Sequence, residues 1–200
     1  MEPKVLRLKP EDAERYARLR LRMLVESPCA FGASPGDDKG QDLPHVRHML
    51  AQEEYAVFAV EAGPRGPASG QELRELIASA GIMRWSSPKF RHRATVWGVY
   101  VEPEHRGLGL GRAVMAAAIA TARAWSGVDY VDLGVSAAAP EALRLYENLG
   151  FVAWGREPEA TEIAGRRYDE IHMTLRVRGT GDGCRRIPSF KENDGQGPRP

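Results

Sequence analysis

The chain has 200 residues, of which 42% are hydrophobic, and this is enough to bury the core of a single domain. Its formal net charge of +1 gives no reason to expect nucleic acid or an anionic membrane as a partner. We find no apolar run of membrane-spanning length and no signal-peptide pattern, and the two cysteines are far apart, so we expect a reduced, cytoplasmic protein.

The first third of the chain predicts two strands and two helices. Residues 5–8 alternate as in a short strand, and a proline with acidic neighbours begins a helix over residues 10–26. A second helix fits residues 44–51, and the apolar run 55–60 predicts a buried strand. Residues 61–70 are rich in glycine and proline, which indicates a long surface loop.

The middle of the chain predicts the centre of a sheet. Strands are expected over residues 73–83 and 95–101, and we interpret the basic cluster 89–93 between them as a solvated turn rather than a phosphate contact. A helical pattern over residues 113–125 leads into a strand over residues 130–135. Because that helix connects two strands, the strands should be parallel and joined by a right-handed crossover.

The last third predicts a helix, a hairpin and a tail. Residues 140–149 form a helical pattern that ends at a glycine, and strands over residues 152–157 and 168–175 are joined through a turn at residues 164–165. From residue 177 onwards glycines, prolines and scattered charges replace the pattern, which predicts a disordered tail. The elements together predict an α/β fold with a mixed sheet and helices on both faces.

A glycine-rich turn separates the predicted strand 95–101 from the helix that follows it. A strand, a glycine turn and a helix start together aim free backbone N–H groups and the positive end of the helix dipole at one point. Glycine allows an anion to approach the backbone closely, so the turn predicts a site for phosphate or pyrophosphate. The spacing excludes a P-loop and a dinucleotide fingerprint, because no Gly-Lys-Ser/Thr follows and Arg112 stands where the third glycine belongs.

Two motifs resemble the signatures of the GNAT superfamily of N-acetyltransferases. Arg106-x-x-Gly109-x-Gly111 is similar to the family's acyl-CoA pyrophosphate motif, Arg/Gln-x-x-Gly-x-Gly/Ala. Further along, Ala142-Leu143-Arg144-Leu145-Tyr146-Glu147-Asn148-Leu149-Gly150-Phe151 is similar to its second signature, Ala-x-x-Leu-Tyr-x-x-x-Gly-Phe. The opening segment, residues 5–34, also resembles the strand and helix that begin many members, and the resemblance covers residues 5–175.

The resemblance implies a single N-acetyltransferase domain over residues 1–176, ahead of the tail 177–200. Its fold would be a mostly antiparallel sheet of six or seven strands with a central parallel βαβ unit. Acetyl-CoA would be the cosubstrate, without a metal. The backbone of the glycine turn would hold the pyrophosphate, and the strand before it would bind the pantetheine arm, with an N–H near Val99 facing the thioester oxygen. The residues implied at the cofactor are Val99, Val101, Arg106, Gly107, Leu108, Gly109, Leu110, Gly111 and Arg112.

Tyr146 matches the tyrosine that protonates the departing CoA thiolate in the family. An ordinary core tyrosine on an apolar helix face is the alternative, and the flanking signature residues favour the acid. Ala139 stands where many members have an asparagine that contacts the cofactor, which puts that one contact in doubt.

The general base is not evident in the sequence. Gly134 stands where relatives that acetylate protein N-termini often carry a glutamate, and residues 93–95 lack the glutamate of lysine-modifying relatives. A free aliphatic amine has a pKa of about 10, so it must lose a proton before attack. A water chain could remove that proton, or one of four side chains: Glu26, His92, Glu102 and Asp132.

These observations predict transfer of an acetyl group from acetyl-CoA to a primary amine. The absent glutamates favour a small-molecule acceptor, and the attack should be direct in a ternary complex because neither cysteine lies near the motifs. A protein N-terminal or lysine acetyltransferase remains the alternative among enzymes, and a non-catalytic acyl-CoA-binding or regulatory domain the alternative outside them. We expect no nucleic acid or membrane partner; homodimers are common in families of this kind.

Overall fold

A computed structural model describes residues 3–63 and 74–178 of the chain. The elements follow one another as β1 (Val5–Arg7), α1 (Ala13–Glu26), α2 (Leu43–Ala51), β2 (Tyr55–Glu61), β3 (Leu76–Arg84), β4 (Arg93–Val101), α3 (Leu110–Ala124), β5 (Tyr130–Ser136), α4 (Pro140–Asn148), β6 (Val152–Ile163) and β7 (Arg166–Arg176). Short 3-10 turns lie between several of them, including Pro28–Ala30 after α1 and Pro103–His105 after β4.

The strands form one seven-stranded sheet in the order β1-β2-β3-β4-β5-β7-β6. Every neighbouring pair is antiparallel except β4 and β5, which run parallel and are connected through α3. The predicted mixed, mostly antiparallel sheet and the parallel pair at its centre are therefore confirmed.

Side chains on alternate positions of the strands build two cores, one on each face of the sheet. On β2, Val57 and Ala59 pack with α1 and α2, while Ala56 and Val60 pack with α3. We call these sides the α1 face and the α3 face; α4 also lies on the α3 face through Tyr146. The predicted helices on both faces are thus confirmed, and each core excludes water from one side of the central strands.

Helix α3 begins three residues earlier than the predicted helix over residues 113–125. Gly109 is its N-cap with a φ of 76°, in the left-handed region that glycine adopts without a steric penalty. The amide of Ala113 donates to the Gly109 carbonyl at 3.1 Å, which closes the first turn. Leu110, Gly111 and Arg112 therefore belong to the helix start rather than to a loop before it.

The β6–β7 hairpin is longer than the predicted strands over residues 152–157 and 168–175. The turn lies at Ala164 and Gly165 as expected, and both have positive φ. An irregularity between Glu157 and Thr161, with Glu159 at a φ of 53°, interrupts the register and lets the pairing continue beyond it. The alternating pattern is lost at this bulge, so the sequence predicts shorter strands.

Parts of three predictions lie outside the described residues: residues 64–70 of the surface loop, Leu73 at the predicted start of β3, and residues 179–200 of the tail. The strand itself is described from Leu76. The last described residues remain attached to the domain, because the Val177 amide donates to the Asp129 carbonyl at 2.8 Å. Among the helices described, none has both the length and the apolar character needed to cross a bilayer.

Candidate active site

The sheet opens between its two parallel strands. Strands β4 and β5 are paired only over their first residues, where Arg93, Ala94 and Thr95 lie opposite residues 130–132. Beyond that point residues 96–99 and 133–136 separate, and a gap runs through the sheet between its two faces.

A bulge in β4 accompanies this separation. Tyr100 lies opposite Ser79 on β3, but Trp97 lies opposite Gly81, so β4 carries an extra residue at this point. Gly98 has a φ of 60°, and its carbonyl accepts a hydrogen bond of 3.1 Å from the Ser79 hydroxyl. The bulge bends β4 while its other edge stays paired with β3, which leaves the edge toward β5 open.

Two adjoining cavities occupy the opening. A narrow one of about 70 Å³ lies in the gap itself and is lined from both faces, by Val96 and Leu133 on the α3 face and by Trp97 and Gly134 on the α1 face. A larger one of about 710 Å³ extends along the starts of α3 and α4. Residues shared by the two linings are Ala30, Phe31, Val99, Ala139, Ala142 and Tyr146.

The start of α3 presents free backbone donors to the larger cavity. Among the described residues, no backbone oxygen accepts a hydrogen bond from the amides of Leu110, Gly111 or Arg112. A Cβ on Gly107 or Gly109 would meet no atom within 4 Å, so both glycines border open space. These donors, at the positive end of a 15-residue helix, form a site suited to a phosphate group.

Gly111 has a different reason to be glycine. A Cβ there would lie 3.2 Å from Leu145 Cδ2 and 3.5 Å from Val101 Cγ2. The missing side chain lets α3 start close against β4 and α4, which brings the free amides of residues 110–112 beside the strand that opens.

The structure brings together all of the sequence-predicted site residues except one. The larger cavity is lined by Val99, Val101, Arg106, Gly107, Gly109, Leu110, Gly111, Arg112 and Tyr146. Leu108 does not line it, and its side chain is 64% exposed. Arg106 is held in place by a hydrogen bond of 3.1 Å from its Nε to the Val101 carbonyl. The roles assigned to these residues remain proposals.

Tyr146 is buried and also borders both cavities. Its side chain is 6% exposed, and its ring meets that of Phe151 edge to face at 6.0 Å. Burial raises the pKa of the Tyr146 phenol above its ordinary value of about 10, so the hydroxyl is protonated throughout the physiological range. A protonated hydroxyl beside the gap is what a leaving thiolate requires from a general acid.

Two of the four candidate bases are committed to other partners. Asp132 accepts hydrogen bonds of 2.6 and 2.5 Å from Arg93 and one of 2.8 Å from the Thr174 hydroxyl. Glu102 forms an ion pair of 2.9 Å with Arg22. His92 precedes the first residue of β4, at the opposite end of that strand from the glycine turn. None of these three residues is positioned to take a proton in the gap.

Glu26 is the fourth candidate, and it does line the larger cavity. Its carboxylate accepts a hydrogen bond from the Tyr100 hydroxyl. Burial, together with the neighbouring Glu26, raises the pKa of Tyr100, so this contact keeps the Tyr100 phenol neutral. Glu26 is the last residue of α1, and the hydroxyl of the next residue, Ser27, accepts a hydrogen bond of 3.5 Å from Arg106; Glu26 does not line the narrow cavity.

One premise of the sequence analysis is wrong. Cys29 lies in the 3-10 turn after α1 and lines the larger cavity, although it is far from both motifs in sequence. Residues 26–31 as a whole form a wall of that cavity, and Phe31 also borders the narrow one. Only the packing of α1 against the α1 face brings this segment to the gap, so motif spacing contains no signal for it. Cys184 lies outside the described residues.

Solved structures share this fold. The chain superposes on YncA from Salmonella typhimurium, a structure determined with acetyl-CoA, with a TM-score of 0.72 at 22% identity over 92% of this chain and 100% of that one. At this level of identity the likeness concerns the fold alone, a seven-stranded mixed sheet with helices on both faces.

The family is established by sequence. The profile described as the acetyltransferase (GNAT) family matches residues 31–151, more than half of the chain. The chain therefore belongs to the GNAT family of acetyltransferases, and the resemblance seen in its two motifs is confirmed.

Two curated relatives match parts of the chain. The L-amino acid N-acyltransferase MnaT of Escherichia coli is 35% identical over 100 residues, which cover 50% of this chain and 56% of the relative. The mycothiol acetyltransferase of Thermobispora bispora is 51% identical over 59 residues, covering 30% of this chain and 20% of the relative. The chain thus spans about half or less of the length of these relatives.

Proposed function

We propose that the protein transfers an acetyl group from acetyl-CoA to the primary amine of a small molecule. The observation that carries the proposal is the gap between β4 and β5, which is bordered by Tyr146 and adjoins the free amides of α3. The free amides at the start of α3 suit a pyrophosphate. The gap suits an acyl group, because an acceptor amine can reach the gap from the opposite face of the sheet.

On the donor side, the amides of residues 110–112 and the side chains of Arg106 and Arg112 would hold the pyrophosphate. The open edge of β4 at Val99 and Val101 would bind the pantetheine arm as an added strand, because its backbone has no strand partner toward β5. The thioester would then lie in the gap, where a backbone N–H near Val99 can stabilise the oxyanion.

Tyr146 would protonate the sulfur as the carbon–sulfur bond breaks. The burial that raises the pKa of the phenol also raises that of a thiol in the same place, so the two groups stay matched for proton transfer. A positioned acid of this kind typically contributes roughly 10²–10⁴-fold to the rate. Holding amine and thioester together in one ternary complex supplies the rest.

A small-molecule acceptor is supported by the names of the curated relatives. The Escherichia coli relative is named for L-amino acids and the Thermobispora relative for mycothiol, so small acceptors occur among similar sequences. The same proposal includes a cytoplasmic site of action, an acetyltransferase domain over residues 1–176 and a homodimer.

The test is an amine panel assayed with acetyl-CoA. Amino acids, polyamines and peptides with a free N-terminus or lysine are supplied in turn, and free thiol and N-acetylated product are measured together. We expect at least one small amine to drive thiol release with an equal yield of acetylated product. Release driven by peptides alone would replace the small acceptor by a protein. Tight binding of acetyl-CoA without release by any amine would make the chain a binding domain.

A further inference from the structure

The carboxylate of Glu170 occupies the place of the side chain that Gly134 lacks. A Cβ built on Gly134 would overlap Glu170 Oε1 and lie 2.7 Å from Cδ. Glu170 reaches this position from β7, where it is directly opposite Ser136 of β5 in the antiparallel register. The sequence has a glycine where some relatives have a glutamate, and the fold returns a carboxylate to the same place from a neighbouring strand.

Gly134 forms part of the wall of the narrow cavity, on the side that faces the acceptor. Its neighbours Leu133 and Val135 point into the core of the α3 face, so Gly134 faces the α1 side of the sheet and is exposed there. The donor residues and Tyr146 lie toward the α3 face. An amine that enters from the α1 face would meet Glu170 on one side of the gap, with the thioester and Tyr146 on the other.

Glu170 is also free to act. Within residues 3–63 and 74–178, no side chain or backbone amide donates a hydrogen bond to its carboxylate, and it forms no ion pair. The other acids near the gap are engaged: Asp132 with Arg93, Glu102 with Arg22 and Glu26 with Tyr100. The half-buried Glu170 therefore offers an uncommitted proton acceptor beside the cavity.

We propose that Glu170 is the catalytic base that removes the proton from the acceptor amine, a role that rests on the acetyl transfer proposed above. The ammonium group gives one proton to the Glu170 carboxylate, and the neutral nitrogen attacks the thioester carbon. A carbon–nitrogen bond forms and the carbon–sulfur bond breaks, its electron pair going to sulfur, which takes the Tyr146 proton. The nitrogen's second proton restores the phenol, and Glu170 releases its proton to solvent.

The surroundings of Glu170 suit a cationic group. Glu157 on β6 and His172 on β7 lie in the same cluster, with ligand atoms within 4.8 Å of one another and of the Glu170 carboxylate. His172 Nε2 is 3.1 Å from Glu157, and Trp154 stacks on the His172 ring at 5.4 Å. The neighbouring strands and the 3-10 turn also place charged or titratable groups on this side, namely Arg93, Tyr130, Asp132, Tyr168 and Cys29. Helix α1 adds Tyr16 and Arg20 near Gly98, with Arg20 paired to Asp38.

The experiment compares wild type with Glu170→Gln over pH 6.5 to 9.5, using an amine accepted in the panel and a chelator in every buffer. Without a base only the free amine reacts, and at pH 7 that form is about one part in a thousand of an amine whose pKa is about 10. We expect kcat/KM of the variant to be roughly 100-fold lower at pH 7. The deficit should fall below about tenfold at pH 9.5, because free amine then becomes abundant.

Gly134→Ala provides a second route to the same result. The added methyl would displace the Glu170 carboxylate, so this variant should show the same shrinking deficit, and the double variant should lose nothing further. Glu162→Gln on the same hairpin is the matched control, since Glu162 pairs with Arg167 near the turn and should behave as wild type. Acetyl-CoA affinity should be unchanged in all of these variants.

A deficit that stays constant across the pH range, or no deficit in Glu170→Gln, would overturn the assignment of the base. Wild-type protein that turns over no amine would instead overturn the proposed function. The two failures are distinguishable because the first requires an active wild-type enzyme.

Discussion

Tyr146 is buried in the core and also borders the two cavities of the candidate site. Its ring packs in the core of the α3 face against Phe151, yet its side chain also borders both cavities. Burial raises the pKa of the phenol, which keeps the proton on the oxygen until the departing thiolate forms beside it. A core tyrosine and a general acid are therefore compatible descriptions of the same side chain.

Replacing Tyr146 by phenylalanine separates these two descriptions. The ring and its packing remain, and only the proton donor is lost, so we expect kcat to fall roughly 100-fold or more while the dissociation constant of acetyl-CoA changes little. Thiol-release kinetics give the first quantity and calorimetric titration gives the second. An equal loss of turnover and affinity, or of thermal stability alone, would identify Tyr146 as a packing residue.

At the scale of elements, much of the candidate site lies where a helix begins, where a strand is interrupted by a bulge, or in a turn. Strand β4 opens at its bulge, α3 begins at Gly109, and the 3-10 turn Pro28–Ala30 closes the cavity from the other side. Each of these places leaves backbone groups without regular partners, and a bound cofactor can satisfy them. The regular parts of the elements hold these places in position, and they also carry Tyr146 in α4 and Glu170 in β7.

Gly109→Val tests the start of α3. The side chain would project into open space where the pyrophosphate is expected, and valine also disfavours the φ of 76°. We expect the affinity for acetyl-CoA to fall more than tenfold, measured by calorimetric titration.

Gly127→Val is the matched control for this variant. Gly127 follows the other end of α3, has a φ of 77° and likewise has no atom within 4 Å of a built Cβ. Both variants should lose a similar stability, roughly 1–2 kcal/mol. Equal affinities in the two variants would show that strain alone, and not crowding of the phosphate, explains the effect.

Local patterns predicted the elements and most residues that line the larger cavity. The glycine spacing and the run around Tyr146 are continuous in sequence, so eight of the nine residues named for the cofactor line that cavity, all but Leu108, whereas Tyr100 and His105 line it without having been predicted. Gly98 did offer a signal for the bulge, because an isolated glycine within a strand often marks one, but it does not reveal the gap toward β5. Cys29 and Glu170 gave no signal, because only tertiary packing brings Cys29 to the larger cavity and the Glu170 carboxylate to Gly134.

At the scale of the whole molecule, the sheet acts as a partition with one opening. Two helices cover each face of the described sheet, and the pairing of its central strands is lost at the gap between β4 and β5. The cofactor would approach through the larger cavity and the amine from the side of Gly134, so both can be bound at once. This geometry predicts direct transfer without an acetylated protein.

The prediction of direct transfer can be tested through Cys29. A thiol in the wall of the larger cavity offers the alternative of an acetyl-cysteine intermediate and a two-stage reaction.

The measurement is the initial rate of thiol release with acetyl-CoA and the accepted amine varied together, on wild type and on Cys29→Ala. Direct transfer predicts intersecting double-reciprocal lines, one N-acetylated amine per thiol, and the same pattern in the variant. An acetyl-cysteine intermediate would instead give parallel lines and a burst of thiol before the amine is added, and Cys29→Ala would lose that burst. This result would contradict direct attack in a ternary complex.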